Sequence, residues 1–479
     1  MVTRSEILTI AQSSVSLLDP HVWTDAPDQL NIRSAVYEPL VRPDGRGGHA
    51  CVLAESWKST DARSWTFTVR EGVRFHNGKP LCAADVVAAL DRARNPMMAG
   101  ELGTTGLYCA YLGGAKLDLV DADRVRIVTE RPTADILDVL AEIPIVSRNQ
   151  GRGAEHEFCG TGPYRVVDHG PSWLRMASAK PYWAGAPPFE RVMWRAMGDE
   201  QARVAALMAE EADVATELLP SALARLGPEG PITVQEVATS GCVVFMCNSA
   251  AGACVDSRVR RALNHGLDVP AIIKRVRQGA ATPLNGPLTP LSLGHDPSVP
   301  PFHHDPDMAR ALLRAAGHQD GLELILQVPT TTPGEAPALA KMVTTQYANI
   351  GIAVDVRVCE DRSAYSEMVR AKRIGDLACF DSTPASTYRV FREKFHSGVA
   401  GPWWQGYANE QVDRLIDEGA SLPDPRERAN RYREAYRLIR DDAAWVFLYS
   451  PTTLVGVGRA AGPVSIERQG MIRFDVGRN

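Results

Sequence analysis

The chain has 479 residues, with 52 Lys plus Arg against 57 Asp plus Glu and a formal net charge of −5. At roughly 100–200 residues per domain, this length exceeds a single core and predicts two to four domains. A chain that is 45% hydrophobic and 23% charged buries a large interior and falls outside the disordered class. The acidic balance removes any electrostatic case for a nucleic-acid partner, and no apolar run approaches the roughly 20 residues of a membrane span.

At the amino end, Ile7 to Ala11 reads as a strand. As an apolar stretch it is too short for a secretory h-region, so the chain is expected either to stay in the cytosol or to be a mature form carrying an added Met. Asp19-Pro20 and Ala26-Pro27 break the strand off into a loop. Residues 28–41 are predicted helical, ending in Tyr37-Glu38-Pro39-Leu40. Trp65, Phe67 and Val69 alternate with polar residues, the period of a half-buried strand. Asn77-Gly78 marks a tight turn, helix 83–94 follows, and Val125, Ile127 and Thr129 alternate again.

From about residue 190 helices and strands interleave. Asp199 and Asp256 are placed to cap helices, Val243 to Met246 reads as a short apolar strand, and helix 335–350 stops at Gly351 before the strand of Ile352, Val354 and Val356. Asp424, Pro425 and Glu427 open a late helix. The predicted class is α/β, with at least two αβ lobes and one strand-rich insertion. No repeat of 20–50 residues is visible.

Enzyme signatures are missing: there is no Walker phosphate loop, nucleophile elbow or zinc-protease helix, and His156-Glu157 lacks a second His. Gly160-Thr161-Gly162-Pro163 has the glycines of a phosphate loop, but Pro163 offers no N–H and no Lys follows. Cys242, Cys247 and Cys254 are spaced unlike a zinc knuckle and read as buried small hydrophobes or one structural disulfide. The nine Cys are odd in number, so at least one is unpaired. His303-His304 reads as a loop pair. Carboxylates such as Asp85, Asp213 and Glu217 are spread along predicted helices without an acid–base pairing. No metal site, cofactor or catalytic residue is expected.

The chemically richest stretch is 376–409. It carries Phe380, Tyr388, Trp403, Trp404 and Tyr407 together with Asp381, Ser382, Ser386 and Arg389. Tandem Trp between Gly401-Pro402 and Gly406 read as a loop whose flat apolar walls, beside a few polar groups, suit the lining of a pocket; the alternative is a plug at a core edge. Arg389 is either a carboxylate or phosphate clamp or half of a structural ion pair.

Several ordered fragments are similar to one family. They are Leu18-Asp19-Pro20-His21, Tyr37-Glu38-Pro39-Leu40, Leu53-Ala54-Glu55-Ser56-Trp57, Trp65-Thr66-Phe67, the run Arg70 to Leu81 with Ala84-Asp85-Val86-Val87, Gly160-Thr161-Gly162-Pro163-Tyr164, the run Asp256 to Asn264 with Asp268 beyond it, and Asn409 to Leu415. From about residue 6 to 458 the chain resembles the peptide/nickel/opine-type solute-binding proteins, family 5, of ABC importers. That resemblance implies a two-lobed periplasmic-binding-protein fold with a strand-rich insertion domain in the first lobe. Lobe one is expected from residues 1–38, 160–244 and 450–479, the insertion from 39–159 and lobe two from 245–449, with the solute enclosed by closure of the lobes.

The implied function is capture of a small solute, peptide-like, opine-like or a carboxylate-rich conjugate or chelate, and delivery to a membrane permease by an extracytoplasmic monomer. Where peptide-binding members show Asp-Tyr-x-Asp-Pro, this chain has Asp381-Ser382-Thr383-Pro384; the second acid is missing and Arg389 is near, which points to an anionic solute. The expected walls are Trp403, Trp404, Tyr407 and Tyr388. Asp381, Ser382, Ser386 and Arg389 are the expected orienting groups. Lobe one would add His21, Trp23, Tyr108 in a Gly-rich loop 103–114, and Arg148. Alternatives from other classes are a nickel or metal-chelate carrier, a hydrolase using the same cleft, and a sensor presenting its liganded surface to a receptor.

Overall fold

The computed structural model describes residues 6–16, 19–22, 27–44, 48–98, 104–148, 158–227, 230–331, 333–383, 386–462, 464–467 and 470–474. The chain folds as two compact units, one formed by Met1–Ala238 with Thr453–Asn479 and the other by Thr239–Thr452. The expected second lobe, 245–449, lies inside the second unit.

Unit one is built on a mixed sheet. Its strand Ile7–Gln12 runs parallel to Arg191–Ala196 on one side and to Val214–Leu218 on the other. Antiparallel strands Trp173–Ser178 and Tyr164–Gly170 extend it beyond Arg191–Ala196. A separate antiparallel sheet comprises Ala54–Lys58, Ser64–Val69, Arg124–Val128 and Lys116–Leu119. In it Trp65, Phe67 and Val69 all turn inward, as their alternation predicts. The first helix, Pro27–Val36, ends short of the predicted residue 41 because Glu38 precedes a proline, which disfavours helical backbone there.

Two sequence fragments that lie far apart meet here. The Glu38 carboxylate is buried, accepting from Thr161 Oγ1 at 2.9 Å, Tyr182 OH at 2.7 Å and Trp183 Nε1 at 2.9 Å. Burial raises its pKa, and the three donors oppose that rise. Gly160 and Gly162 pass so close to the end of the first helix that a Cβ would stand 1.9 Å from Val36 O at Gly160 and 2.6 Å from Ala35 O at Gly162. The Gly-Thr-Gly-Pro fragment is therefore a packing device against that helix rather than a phosphate cradle.

Unit two carries the second sheet. Ile352–Cys359, Leu322–Pro329 and Leu377–Ser382 are parallel; Cys242–Cys247 and then the first part of Trp445–Gly458 continue it antiparallel. Helices Ser257–His265, Val269–Val276, Pro306–Ala315 and Ala336–Ala348 pack their apolar stripes, among them Val259, Leu263, Ile272, Leu313, Leu339 and Val343, into one core with the strand residues Phe245, Leu326 and Leu448. Asp256 and Asp424 cap their helices through the backbone N–H groups of Arg258 and of Arg426 and Glu427. Gly351 takes a φ of +85° at the predicted helix stop, the left-handed conformation glycine adopts without a Cβ penalty. All nine cysteines are free thiols, and Cys242, Cys247 and Cys254 are buried.

The run Asp256 to Asn264 earns its residues by satisfying backbone groups. Arg260 is buried, and its guanidinium donates to the carbonyls of Cys254, Val255, Asp442 and Ala443. Asn264 donates to Trp445 O at 3.0 Å and accepts from Phe447 N at 3.0 Å. Asn264→Leu strands both of those buried backbone groups, each of which costs about 1–3 kcal/mol unpaired. The expected outcome is a loss of about 2–4 kcal/mol in the unfolding free energy of unit two, read from the denaturant midpoint; a loss below half a kcal/mol shows that this side chain does not hold the strand.

Candidate functional site

Of the residues expected on the second lobe, Asp381 and Ser382 end strand Leu377–Ser382 and Ser386 to Arg389 open the helix that follows, whereas the loop around Trp404 and Tyr407 runs past Ser249 and Ala250, beyond the Leu377 end of that strand. Its partner strand sets Cys242 opposite Ser382, Val243 opposite Asp381 and Val244 opposite Phe380. Ser386 caps helix Thr387–Lys394, accepting from Arg389 N. The tandem Trp lie outside any helix or strand, as predicted, and both are partly exposed.

Trp403 forms a layered arrangement with three neighbours. Its ring centre is 5.1 Å from that of Phe380 at 44°, the Arg370 guanidinium stands 4.9 Å from the Trp403 ring centre, and the Lys394 amine stands 5.4 Å from the Phe380 ring centre. Two tilted aromatic rings in contact thus each carry a cation near the ring, a contact that the ring quadrupoles favour. Trp404 turns back into its own loop, donating from Nε1 to Tyr407 O at 2.6 Å. Tyr407 is buried against Phe395 and gives its hydroxyl to Asp442 Oδ2 at 2.7 Å. Tyr388 is buried, and Arg389 Nε donates to Glu393 Oε1 at 3.2 Å. Ser382 is buried beneath the Lys394 amine, which donates to its Oγ.

The loop is fastened by a residue that sequence reasoning passed over. Lys372, itself at a φ of +59°, donates from Nζ to the carbonyls of Gly401 and Pro402. Burial pulls its ammonium down to about 8. Lys394 was also missed, and burial pulls it to about 8 as well. The signal was present: Val390, Phe391 and Lys394 fall at helical spacing, which sets a lysine on a buried stripe.

The residues expected from the first lobe lie in unit one. His21 is fully buried. Arg92 Nη1, which can only donate, lies 2.8 Å from His21 Nδ1, so Nε2 carries the proton and gives it to Pro144 O at 2.9 Å. Arg92 also holds Asp19 through both of its terminal nitrogens. His21 is therefore a neutral ring with both nitrogens satisfied, and burial, helped by Arg92, lowers its pKa to about 4. Arg148 is mostly exposed, with Nε 3.6 Å from Asp85 Oδ1. Arg92 and Arg148, but not His21, line a cavity of about 450 Å³ together with Asp91, Asn95 and Ser147 among others. Tyr108 sits on helix Thr104–Leu112 rather than in the predicted loop, because Gly106 alone interrupts the helix and Gly113 and Gly114 follow its end; its hydroxyl donates to Glu142 O at 3.0 Å. Trp23 and His156-Glu157 lie outside the described residues.

Residues 51–386 match the sequence profile of the bacterial extracellular solute-binding proteins, family 5 middle region. The chain belongs to this family. Among curated relatives, the glutathione-binding protein GsiB of Escherichia coli O1:K1 / APEC is 27% identical over 460 residues, covering 92% of this chain and 88% of the relative. The structure of HbpA2 from Haemophilus parasuis superposes with a TM-score of 0.85 at 22% identity, covering 98% of this chain and 99% of that one. NikA from Brucella suis, in complex with Fe(III)-EDTA, does so with a TM-score of 0.82 at 22% identity, covering 99% of each. These matches place the chain among two-lobed family 5 folds. No helix of the described residues is long and apolar enough to cross a membrane.

Two measurements test the geometry. Lys372→Met removes both fastenings of the Trp loop, so hydrogen exchange at the amides of Trp403 to Gln405 is expected to accelerate at least about tenfold; unchanged exchange means that the loop is held by its other contacts. The unfolded chain binds a proton at His21 near pH 6.5 and the folded chain only near pH 4, so the stability is complete above 6.5 and falls as pH drops toward 4. Between pH 7 and pH 5 the expected loss from this ring is on the order of 2 kcal/mol at 1.36 kcal/mol per pKa unit, and His21→Gln flattens that part of the pH profile of unfolding.

Proposed function

We propose that this chain is the solute receptor of an ABC importer and that its solute is a small, acid-bearing, peptide-like molecule of the class to which glutathione belongs. The observation that carries the reading is the partly exposed Trp403 face in unit two, backed by Phe380 and flanked by Arg370 and Lys394. A flat apolar wall takes up the carbon skeleton of a solute, and cations beside it favour carboxylates. Family membership supplies the receptor role, and the relatives named for glutathione binding supply the chemical class.

In this reading Trp403 is a wall. Asp381 orients a polar end of the solute, with Arg389, held at Nε by Glu393, offering its remaining donors beside it; Ser382 and Ser386 set the two ends of the segment that presents them, and Trp404, Tyr407 and Tyr388 brace the wall from behind. In unit one, His21 and Tyr108 brace the backbone near Arg148, the exposed polar group there. The receptor acts as a monomer outside the cytoplasm and hands its solute, chemically unchanged, to a permease. It needs no cofactor and engages no nucleic acid.

The test is calorimetric titration of the purified chain with glutathione, after native mass spectrometry has identified any small molecule that co-purifies. Saturable binding without turnover of the solute is expected; conversion of a bound solute would place the chain among enzymes instead. Trp403→Ala is expected to weaken binding by about 1–3 kcal/mol, roughly ten- to a hundredfold in Kd, with little change in the melting temperature of the free protein. A large drop in melting temperature without solute would make Trp403 a core residue.

A further inference from the structure

Among the described residues, Lys394 forms no ion pair. It is 2% exposed, and its ammonium has three donors. Among the described residues it uses one of them, on Ser382 Oγ, and rests over the Phe380 ring. The charged and titratable groups facing it are Glu393 and Arg389 on its own helix, Asp381 on strand Leu377–Ser382 and Cys242 on the adjoining strand. Glu393 holds Arg389 at 3.2 Å, Asp381 also faces Arg362, and burial pushes the Cys242 thiol up to about 12, so it stays neutral near pH 7. No carboxylate of the described residues comes within ion-pair distance of the Lys394 amine.

A buried ammonium with two idle donors is unfavourable unless something supplies the missing acceptors. Solvent reaches close by: Asp381 and Thr383, which flank Ser382, and the Trp403 wall are all partly exposed. The four-carbon stem lets the amine exchange or share its Ser382 bond with an incoming oxygen.

We propose that Lys394 is the specificity residue of this receptor, the group that takes a carboxylate of the solute past the Phe380–Trp403 wall. The proposal rests on the receptor reading and deepens it. It requires the solute to carry an acid and makes an uncharged analogue a poor ligand. Binding of an acid fixes the amine in its protonated form, so affinity for the acid falls as pH rises through the free amine's pKa of about 8.

The test is calorimetry on the full chain with glutathione, its diethyl ester and maltotriose, at pH 7 and pH 9. The ester keeps the amine and thiol of glutathione, so its own titration is the control. Glutathione is expected to bind at least about tenfold more tightly than the ester at pH 7 and to lose about tenfold between pH 7 and pH 9 relative to it. Lys394→Met is expected to abolish both the preference and the pH step. Equal affinity for acid and ester in the wild type, or a preference that survives in Lys394→Met, overturns the proposal. Binding of maltotriose alone overturns it together with the acid-bearing class of solute while leaving the importer-receptor role intact, and no binding by any probe overturns all three. Should Lys394→Met fail to fold, as judged by circular dichroism, the acid–ester and pH comparisons on the wild type decide.

Discussion

The turn from Asp442 to Ala444 is the point on which unit two depends. Its carbonyls are spoken for by the guanidinium of Arg260, which joins Asp442 O and Ala443 O to Cys254 O and Val255 O. The same Asp442 turns its carboxylate the other way, accepting from Tyr407 OH at 2.7 Å and Asn409 Nδ2 at 2.9 Å. One residue thus ties the Ser257–His265 helix, the last central strand and the loop that carries the tandem Trp. A buried arginine satisfied by carbonyls rather than by a carboxylate makes these joints geometrically strict, because the planar fork fixes every acceptor at once.

That strictness gives the aromatic face its rigidity. Tyr407 and Asn409 hold the far end of the loop through Asp442, Lys372 holds the near end through the carbonyls of Gly401 and Pro402, and Trp404 closes the span onto Tyr407 O. Of the aromatic residues in this loop, Trp403 packs its ring against Phe380 and Arg370. In the proposed reading, a wall held from both ends loses little conformational entropy when a solute arrives, which is where much of the cost of association otherwise falls.

Much of the scaffold was legible in the sequence because its signals are local. Strand Ser64–Val69 declared itself by alternation, and the helices after Asp256 and Asp424 by their caps. The stop at Gly351 was readable from the need for a positive φ. The ordered fragments carried the family as a whole, although their physical reasons lie in contacts over long separations that no local pattern reveals. Glu38 with Thr161, Tyr182 and Trp183, and Asn264 with Trp445 and Phe447, are pairings of this kind. Tyr108 shows the converse failure: glycines near it suggested a loop, and a helix formed regardless, since glycine weakens a helix by only about 1 kcal/mol per residue.

The site was legible in outline and not in its chemistry. Aromatic residues and hydroxyls crowded between 376 and 409 marked the region; Phe380, Asp381, Ser382 and the Ser386 cap lie at the end of one strand and the start of the next helix, and Trp403 packs on Phe380. What composition cannot tell is which cations are already matched. Arg389 looked like the clamp, yet its Nε is engaged by Glu393 one helical turn away, the i,i+4 pairing that a helix makes easily. Lys394, five residues on, looked like an ordinary helix-end lysine favoured by the dipole, and it is the one drawn inside with its donors underused. In the proposed reading a receptor that must release what it binds is served by such a group: its burial would make the interaction with a solute acid strong in a low dielectric, and the Ser382 hydroxyl, its hydrogen-bond partner among the described residues, holds it without the solute.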